Sequence, residues 1–262
     1  KLVFQSMRDS FLCDQIFSME LDGSHVRLLS TGTGRTTCSY FLPDGNHVLF
    51  ASTYLADKAC PPVADRKKGY VWSLYPSYDI FVSDVNGAIT KRLTETPGYD
   101  AEAVVSPVGD KIAFTSIRNG DLDIYTMNLD GSDVRQLTNS LGYDGGPFFS
   151  PDGKQIVYRA YHPATTKDSA EYRDLLREEK IKPISLQIWI MNADGSNKRQ
   201  LTRNTAANFA PFIHPDGKRI IFSSNMADTS KTPMNFDLYL MNLDGTGMER
   251  VTYNETFDGF PM

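Results

Sequence analysis

The stretch NLDGSDVRQLT, from Asn128 to Thr138, decides the fold because the chain contains four further versions of it. Each version has a turn at Asp-Gly or Asn-Gly and then a short run that ends in a hydroxyl residue. The turn glycines follow one another at intervals of 64, 44, 64 and 50 residues, and they are Gly23, Gly87, Gly131, Gly195 and Gly245. A phrase that returns at such spacing predicts a repeat architecture.

A second marker occurs once in every interval: LPDGN from Leu42, SPVGD from Ser106, SPDGK from Ser150 and HPDGK from His214. Short runs rich in Ile, Val, Phe and Tyr follow each proline marker and precede each glycine turn. Such runs between turn residues predict strands and hairpins. In the shortest repeat the four strands are AEAVVS (A), KIAFTS (B), DIYTMN (C) and VRQLT (D).

Four antiparallel strands in about 44 residues form one blade of a β-propeller, so we predict an all-β fold and a single propeller domain over residues 1–262. A sandwich or barrel would not need such strict phasing. The chain opens on a B strand, KLVFQS, and closes on an apparent A strand, FDGFPM. We therefore expect the two ends to complete one blade and give twenty strands. A closed five-bladed ring and a six-bladed ring truncated after Met262 both remain open.

Composition limits the partners. The chain has 262 residues and a formal net charge of -5, with a sequence pI near 5.4. An acidic chain lacks the basic face that nucleic acids require, and it has no apolar run of the roughly 18 residues that cross a membrane. We expect neither nucleic-acid binding nor membrane insertion, and the oligomeric state stays open. The opening KLVFQSMRDS is typical of a strand rather than a signal peptide, so an export signal was absent or lay upstream.

The three cysteines, Cys13, Cys38 and Cys60, lie in the first quarter of the chain. Their spacing matches no zinc-ligand pattern. One disulfide with one free thiol, or three free thiols, are both compatible with the sequence.

The phrases SPDGK-x-IxFxS and DIYxMNxDGSxxRxLT resemble the WD-like β-propeller repeats of TolB-type proteins in the periplasmic Tol-Pal system. The resemblance extends over essentially the whole chain. It implies the propeller fold, a periplasmic or secreted location and binding of partner proteins in the cell envelope; TolB-type propellers have six blades. Similar repeats occur in the propeller domains of prolyl-oligopeptidase-type and tricorn-type peptidases.

Propeller connectivity places the A–B and C–D turns on one face and the B–C and D–A connections on the other. We call the second the insert-bearing face, because two B–C loops are unusually long, at about 53–78 and 161–186. The first insert is rich in proline, aromatic and basic residues, and the second contains DSAEYRDLLREEK, which predicts a short amphipathic helix. Long loops on a rigid scaffold commonly bind ligands.

The candidate binding residues lie on the D–A connections, along the B strands or at the start of the second insert. They are Arg8, Arg35, Tyr99, Asp100, Glu102, Arg118, Tyr143, Asp144, Arg159, His162, Asn208 and Asp258. Arg–Asp pairs between adjacent blades would tie the ring together. Alternatively, the same side chains form a polar pocket under the inserts for a peptide end, a sugar or a charged small molecule.

Catalytic and metal signals are weak. Asp-Gly at a hairpin is explained by turn geometry, so we expect no calcium at Asp22, Asp130, Asp194 and Asp244. There is no GxSxG motif. A zinc site needs at least three ligands and would therefore require His162 together with carboxylates from other blades. We predict no metal, no cofactor and a non-catalytic binding role for a protein, peptide or small polar ligand. The alternatives are an accessory propeller of a peptidase or hydrolase, and a hydrolase using rim carboxylates such as Asp100 and Asp144.

Overall fold

A computed structural model describes residues 1–56, 58–63, 69–230 and 234–262. The chain forms five antiparallel sheets arranged as the blades of a five-bladed β-propeller, which confirms the predicted fold class. Within each blade the strands lie in chain order, with the A strand innermost in blades 2 to 5.

The strands are numbered in chain order. Blade 1 has β1 (Leu2–Ser6), β2 (Gln15–Met19) and β3 (Arg27–Leu28). Blade 2 has β4 (Thr36–Phe41), β5 (His47–Ser52), β7 (Asp79–Asp84) and β8 (Ile89–Arg92). Blade 3 has β9 (Asp100–Val105), β10 (Lys111–Ser116), β11 (Asp123–Asn128) and β12 (Arg135–Gln136).

Blade 4 has β13 (Tyr143–Phe149), β14 (Gln155–Tyr161), β16 (Gln187–Asn192) and β17 (Arg199–Gln200). Blade 5 has β18 (Asn208–Ile213), β19 (Arg219–Ser224), β20 (Asp237–Asn242) and β21 (Glu249–Arg250). Outside the blades lie the helix α1 (Thr166–Arg177) and two short strands, β6 (Trp72–Ser73) and β15 (Lys180–Ile181).

A hydroxyl at the end of strand D explains why the repeated phrase closes on Thr or Ser. In blade 2, Thr94 Oγ1 accepts a hydrogen bond from the Ile80 N–H (2.9 Å) and donates one to Asp79 Oδ1 (3.2 Å). Blades 1, 3 and 4 have the same two bonds, with Gln replacing Asp in blades 1 and 4. This hydroxyl satisfies buried polar groups where strands C and D meet.

The core lies between adjacent blades. Leu49 and Ile80 of blade 2 pack with Ile112 and Phe114 of blade 3, and similar clusters join the next pairs of blades. Each buried side chain of this size contributes about 1.5 to 3 kcal/mol to folding. The strand periodicity of the repeat thus builds a rigid support for the loops.

Each A strand of blades 2 to 5 contains a β-bulge at one equivalent position. Its residue has a positive φ: 52° at Cys38, 56° at Glu102, 55° at Gly146 and 48° at Ala210. Positive φ is uncommon for residues other than glycine. The bulge changes the direction of the side chain at this position in blades 2, 3 and 5, whereas blade 4 has glycine there.

The predicted pairing of FDGFPM with KLVFQS is wrong. β1 pairs with β2 only, and residues 251–262 form no strand. The rings of Phe257 and Phe260 instead pack against Phe209 of blade 5, with centroids 6.0 and 5.4 Å away. Phe260 also has the φ of the bulge position, 54°. The segment therefore keeps the local shape of an A strand while its aromatic side chains hold it on blade 5.

A disulfide joins Cys13, just before β2, to Cys60 in the first insert, and Cys38 is free. The helix predicted in the second insert forms as α1, with Thr165 as its N-cap accepting a hydrogen bond from the Asp168 N–H. In the part of the chain that the structure describes, no helix has the length and apolar character needed to cross a membrane.

Candidate functional site

The two inserts meet on the insert-bearing face. Strand β6 of the first insert pairs with β15 of the second, and the Leu74 N–H donates to the Glu179 carbonyl (2.7 Å). Helix α1 is fixed from below because the buried Tyr172 hydroxyl donates to Asp121 Oδ1 (2.5 Å). We call β6, β15 and α1 the insert cap. Nothing in the sequence predicted that these segments pair.

An ion pair between blades 3 and 4 lies under the insert cap. The Glu102 carboxylate accepts hydrogen bonds from Thr115 Oγ1 (2.7 Å), the Tyr143 hydroxyl (3.2 Å), the Gly146 N–H (2.8 Å) and the Arg159 guanidinium. A Cβ at position 146 would lie 2.1 Å from Arg159 Nη1, so glycine leaves the space that the guanidinium fills.

The insert cap is anchored on this ion pair. The Arg159 guanidinium lies 5.3 Å from the Trp72 ring centre and 5.5 Å from that of Tyr143. The Trp72 and Tyr143 rings also meet edge to face, 6.5 Å apart. A desolvated cation between two aromatic rings is favourable. Trp72, which was not among the predicted site residues, connects the cap to the channel.

Four other predicted residues form two pairs, each within a single blade. Arg118 Nη2 contacts both oxygens of Asp100 at 3.0 and 3.1 Å, and His162 Nε2 lies 3.0 Å from Asp144 Oδ1. In each pair, the aspartate lies at the start of strand A and contacts the residue two positions after its strand partner. That strand partner is Ser116 for Asp100 and Ala160 for Asp144. Of the ion pairs expected between adjacent blades, Glu102–Arg159 is therefore present, whereas Asp100 and Asp144 form their pairs within blades 3 and 4.

The Asp144–His162 pair has unusual protonation properties. Burial raises the pKa of Asp144, although the hydrogen bond and charge of His162 act in the opposite direction. Burial lowers the pKa of His162, but Asp144, with Asp121 and Asp123, outweighs it and raises that pKa overall. Burial, with the charges of Asp144 and Asp121, raises the pKa of Asp123 to about 6.

The carboxylates proposed for hydrolysis are closed to substrate in this structure. The side chains of Asp100 and Asp144 are only 2% and 1% exposed, and each is covered by its basic partner. Burial also raises the pKa of Asp100, against the effects of Ser116 and Arg118. This arrangement can hold the blade together but offers no open acid and base.

A row of tyrosines continues from the ion pair toward the first insert. The ring centres of Tyr75 and Tyr78 are 5.9 Å apart, and those of Tyr78 and Tyr99 are 5.8 Å apart. Tyr99 also packs against the cluster that contains Tyr143. We call Tyr75, Tyr78, Tyr99 and Tyr143 the tyrosine row.

Two further groups belong to this region. The Arg35 guanidinium lies 6.0 Å from the ring centre of Tyr75, at the opposite end of the tyrosine row from Arg159. Cys38 is a free, solvent-accessible thiol at its bulge. The predicted site residues did not include Cys38, Trp72, Tyr75 or Tyr78. For Cys38, the repeat spacing that relates it to Glu102 was the available signal.

The remaining predicted residues are structural or peripheral. Asn208 is fully buried and bonds the Leu186 carbonyl and Ser224. Asp258 accepts a hydrogen bond from Asn254 Nδ2 (2.7 Å). Arg8 lies 5.6 Å from the Phe17 ring centre and pairs with the exposed Asp9.

The A-strand bulge fixes the place of Arg35 in the repeat. Counting from the bulge residues Cys38 and Glu102, the equivalent of Asp100 is Thr36, and Arg35 is the equivalent of Tyr99. Thr36 is buried and its Oγ1 lies 3.2 Å from Ser52 Oγ. Arg35 is therefore not the counterpart of a buried, blade-pairing carboxylate.

The turn aspartates act locally. Asp130 Oδ1 accepts from the Ser132 N–H (3.0 Å) and hydroxyl (2.5 Å), and Asp194 and Asp244 repeat this arrangement. The bonds to Ser132 lower the pKa of Asp130. Over the described ranges, no three Asp, Glu, His or Cys side chains are grouped so as to hold a metal ion.

The opposite face has an apolar cavity of about 210 Å³ at the ends of the A strands. Its wall includes Tyr40, Val104, Phe148 and Phe212, together with prolines of the A–B turns. The two faces therefore differ in chemistry: one has a cavity lined by apolar side chains, and the other combines arginines, tyrosines and buried carboxylates.

Comparison with known proteins agrees with this architecture. Residues 70–171 match the family model described as the TolB beta propeller domain. Residues 70–171 therefore match TolB-type β-propeller repeats. No curated protein sequence matches it.

Solved TolB structures resemble this propeller. TolB from Acinetobacter baumannii aligns with a TM-score of 0.69 and 18% identity over 97% of this chain and 52% of that chain. The putative TolB from Agrobacterium tumefaciens aligns with a TM-score of 0.53 and 22% identity over 86% of this chain and 83% of that chain. This chain thus spans about half the length of the Acinetobacter TolB chain, and identities this low show the fold alone.

A puromycin-hydrolyzing peptidase from Mycobacterium tuberculosis also resembles this propeller. It aligns with a TM-score of 0.58 and 14% identity over 92% of this chain and 34% of that chain. The same propeller architecture therefore occurs within a longer peptidase chain.

Proposed function

We propose that this TolB-type propeller is a non-catalytic recognition module that binds a protein or peptide partner on its insert-bearing face. The observation that carries the proposal is the insert cap: β6 and β15 come from different blades, pair with each other and are anchored by Trp72 on Arg159. Ordering long loops costs conformational entropy. Loops already paired in the free protein bind with a smaller ordering cost.

The surface of the inserts supports the same role. Leu55 in the first insert is 54% exposed and Ile184 in the second is 51% exposed. Tyrosines and arginines, which are favoured at recognition sites, lie beside the cap. A small polar ligand in the same region is compatible with this arrangement.

We place the protein in the periplasm or outside the cell. The Cys13–Cys60 disulfide favours this location because such bonds persist in oxidising compartments and are rare in the cytosol. The similarity to TolB proteins supports the same location.

The second candidate is an accessory propeller of a peptidase or hydrolase. The observation that favours it is the alignment of this chain with about a third of a puromycin-hydrolyzing peptidase. In that role the propeller would still bind or admit a peptide, and the catalytic groups would belong to another domain.

Charge placed on the inserts tests the proposed face. Leu55→Glu and Ile184→Glu alter exposed apolar side chains of the two inserts, and Val134→Glu is the matched control on a C–D turn, where Val134 is 41% exposed. We expect the insert variants to lose a protein partner recovered from the source's envelope fraction, with the control unchanged. Loss in Val134→Glu with full recovery by the insert variants would place binding on the other face.

A further inference from the structure

Arg35 has unused hydrogen-bonding capacity. Its nearest carboxylate, Asp14, is 3.7 Å from Nη1, and its buried Nε has no hydrogen-bond partner among the described residues. Arg118, by comparison, binds both oxygens of Asp100 and also Ser116. The side chains of Arg35 and Arg118 are 24% and 15% exposed. Exposure therefore does not explain why the Arg118 guanidinium has hydrogen-bond partners and the Arg35 Nε has none.

The backbone holds Arg35 in a fixed position. Its N–H donates to Thr53 Oγ1 and its carbonyl accepts from the Thr53 N–H, both at 3.0 Å. Gly34 lies so close to Tyr54 that a Cβ would be 2.8 Å from its backbone. The guanidinium is therefore presented at the base of the first insert by a rigid main chain, with an aromatic ring, Tyr75, on one side.

Two hydroxyls of the tyrosine row are also unused. The side-chain hydroxyls of Tyr78 and Tyr99 make no hydrogen bond with another described residue, whereas the Tyr75 hydroxyl donates to the Pro62 carbonyl (2.9 Å). Tyr78 is only 4% exposed, and the groups whose charges act on its hydroxyl include Arg35 and Cys38. Burial raises the pKa of Tyr78, so its hydroxyl stays a neutral donor.

We propose that Arg35 and Tyr78, with Tyr99 alongside, bind a carboxylate group of the ligand. The planar guanidinium fork matches the two oxygens of a carboxylate, and charge-assisted hydrogen bonds are stronger than neutral ones. The unused groups here are donors, so the ligand has to supply acceptors. The half-buried rings of Tyr75 and Tyr99 offer an apolar wall for an aromatic or aliphatic group next to the carboxylate.

This inference rests on the proposed function, because it identifies what the insert-bearing face recognises. Such a carboxylate can belong to a free organic acid or to the C-terminus of a polypeptide chain. The probes are therefore phenylacetate with its neutral analogue phenylacetamide, and a pentapeptide ending in phenylalanine in its free-acid and amidated forms.

Calorimetric titration of the intact chain tests the site. We expect the two acids to bind and the two amides to bind at least about tenfold more weakly, which is about 1.4 kcal/mol. Arg35→Gln should reduce acid binding to the level of the amides, and Tyr78→Phe should weaken it less. Arg27→Gln, which alters an arginine on the opposite face that bonds Asn86, should bind like the wild type.

Each result decides the proposal. Equal affinity for acid and amide, no binding of either acid, or unchanged acid binding in a folded Arg35→Gln variant would overturn it. Binding of phenylacetate alone indicates a free acid, and binding of the peptide acid indicates a chain terminus. The proposed function fails separately, if the Leu55→Glu and Ile184→Glu variants keep their partner, because that experiment needs no carboxylate.

Discussion

Arg159 of blade 4 forms an ion pair with Glu102 of blade 3, and Trp72 of the first insert covers the guanidinium. The side chains of Arg159 and Glu102 are 8% and 13% exposed, so water screens this charge pair little. The pair connects three parts of the molecule: the A-strand bulge that places Glu102, the interface between two blades and the insert cap. Substitutions in these three parts should therefore affect different properties of the protein.

Gly146→Ala should destabilise the propeller by displacing Arg159. The new Cβ would meet the guanidinium at 2.1 Å and would sit at a φ of 55°. We expect a loss of about 3 kcal/mol in the free energy of unfolding, measured by urea denaturation. Gly45→Ala is the control, because its φ is 65° with no atom within 4 Å, and it should cost only about 1 to 2 kcal/mol. Equal losses of unfolding free energy in the two variants would show that backbone strain, and not a clash with Arg159, accounts for the effect at Gly146.

Trp72→Ala should loosen the insert cap without unfolding the blades. The substitution removes the ring over Arg159 but leaves the Glu102–Arg159 pair in place. We expect faster amide hydrogen exchange in β15 and α1, with unchanged exchange in β2 of blade 1, which contributes no residue to the cluster around the cap. Trp72→Phe retains an aromatic face and should show a smaller increase. If exchange in the cap stays at the wild-type rate, the anchoring role of Trp72 is wrong.

Local patterns in the repeat were sufficient to predict the blades. The quoted runs KIAFTS and DIYTMN coincide with β10 and β11, because alternation and turn residues are encoded within a few positions. The connectivity of propeller strands also predicted which face carries the inserts. The candidate residues included both members of three pairs: Glu102–Arg159, Asp100–Arg118 and Asp144–His162.

Features that depend on distant contacts could not be predicted. The β6–β15 pair has two residues per strand and no periodicity, and its partners are far apart in the chain. The bulge residues Cys38, Glu102 and Ala210 share no chemistry, so residue type gives no sign of their common backbone shape. FDGFPM has the composition of an A strand, but composition cannot tell whether a neighbouring strand is in reach.

His162 should make stability depend on pH near neutrality. Its pKa is raised above 6.5 in the folded state, so its contribution is fully present below 6.5 and is lost as pH rises through the folded pKa. The raised pKa of Asp144 acts in the same direction, because protonation of that buried group also favours the folded state. We expect the melting temperature to fall as the pH rises above about 6.5. His162→Gln should flatten this decline, whereas His25→Gln, on an exposed turn, should leave it unchanged.

Loss of the Cys13–Cys60 bridge should destabilise the protein and alter the Arg35 region. The bridge closes a loop with a sequence separation of 47, for which chain entropy gives about 4 kcal/mol. The first insert, which Cys60 ties to blade 1, also provides Thr53 and Lys58, the backbone partners of Arg35 and Gly34. Cys13→Ser/Cys60→Ser should therefore lower the melting temperature in non-reducing buffer and weaken phenylacetate binding, while Cys38→Ser changes neither. A melting temperature that reducing agent does not alter in the wild type would show that this bridge contributes nothing to stability.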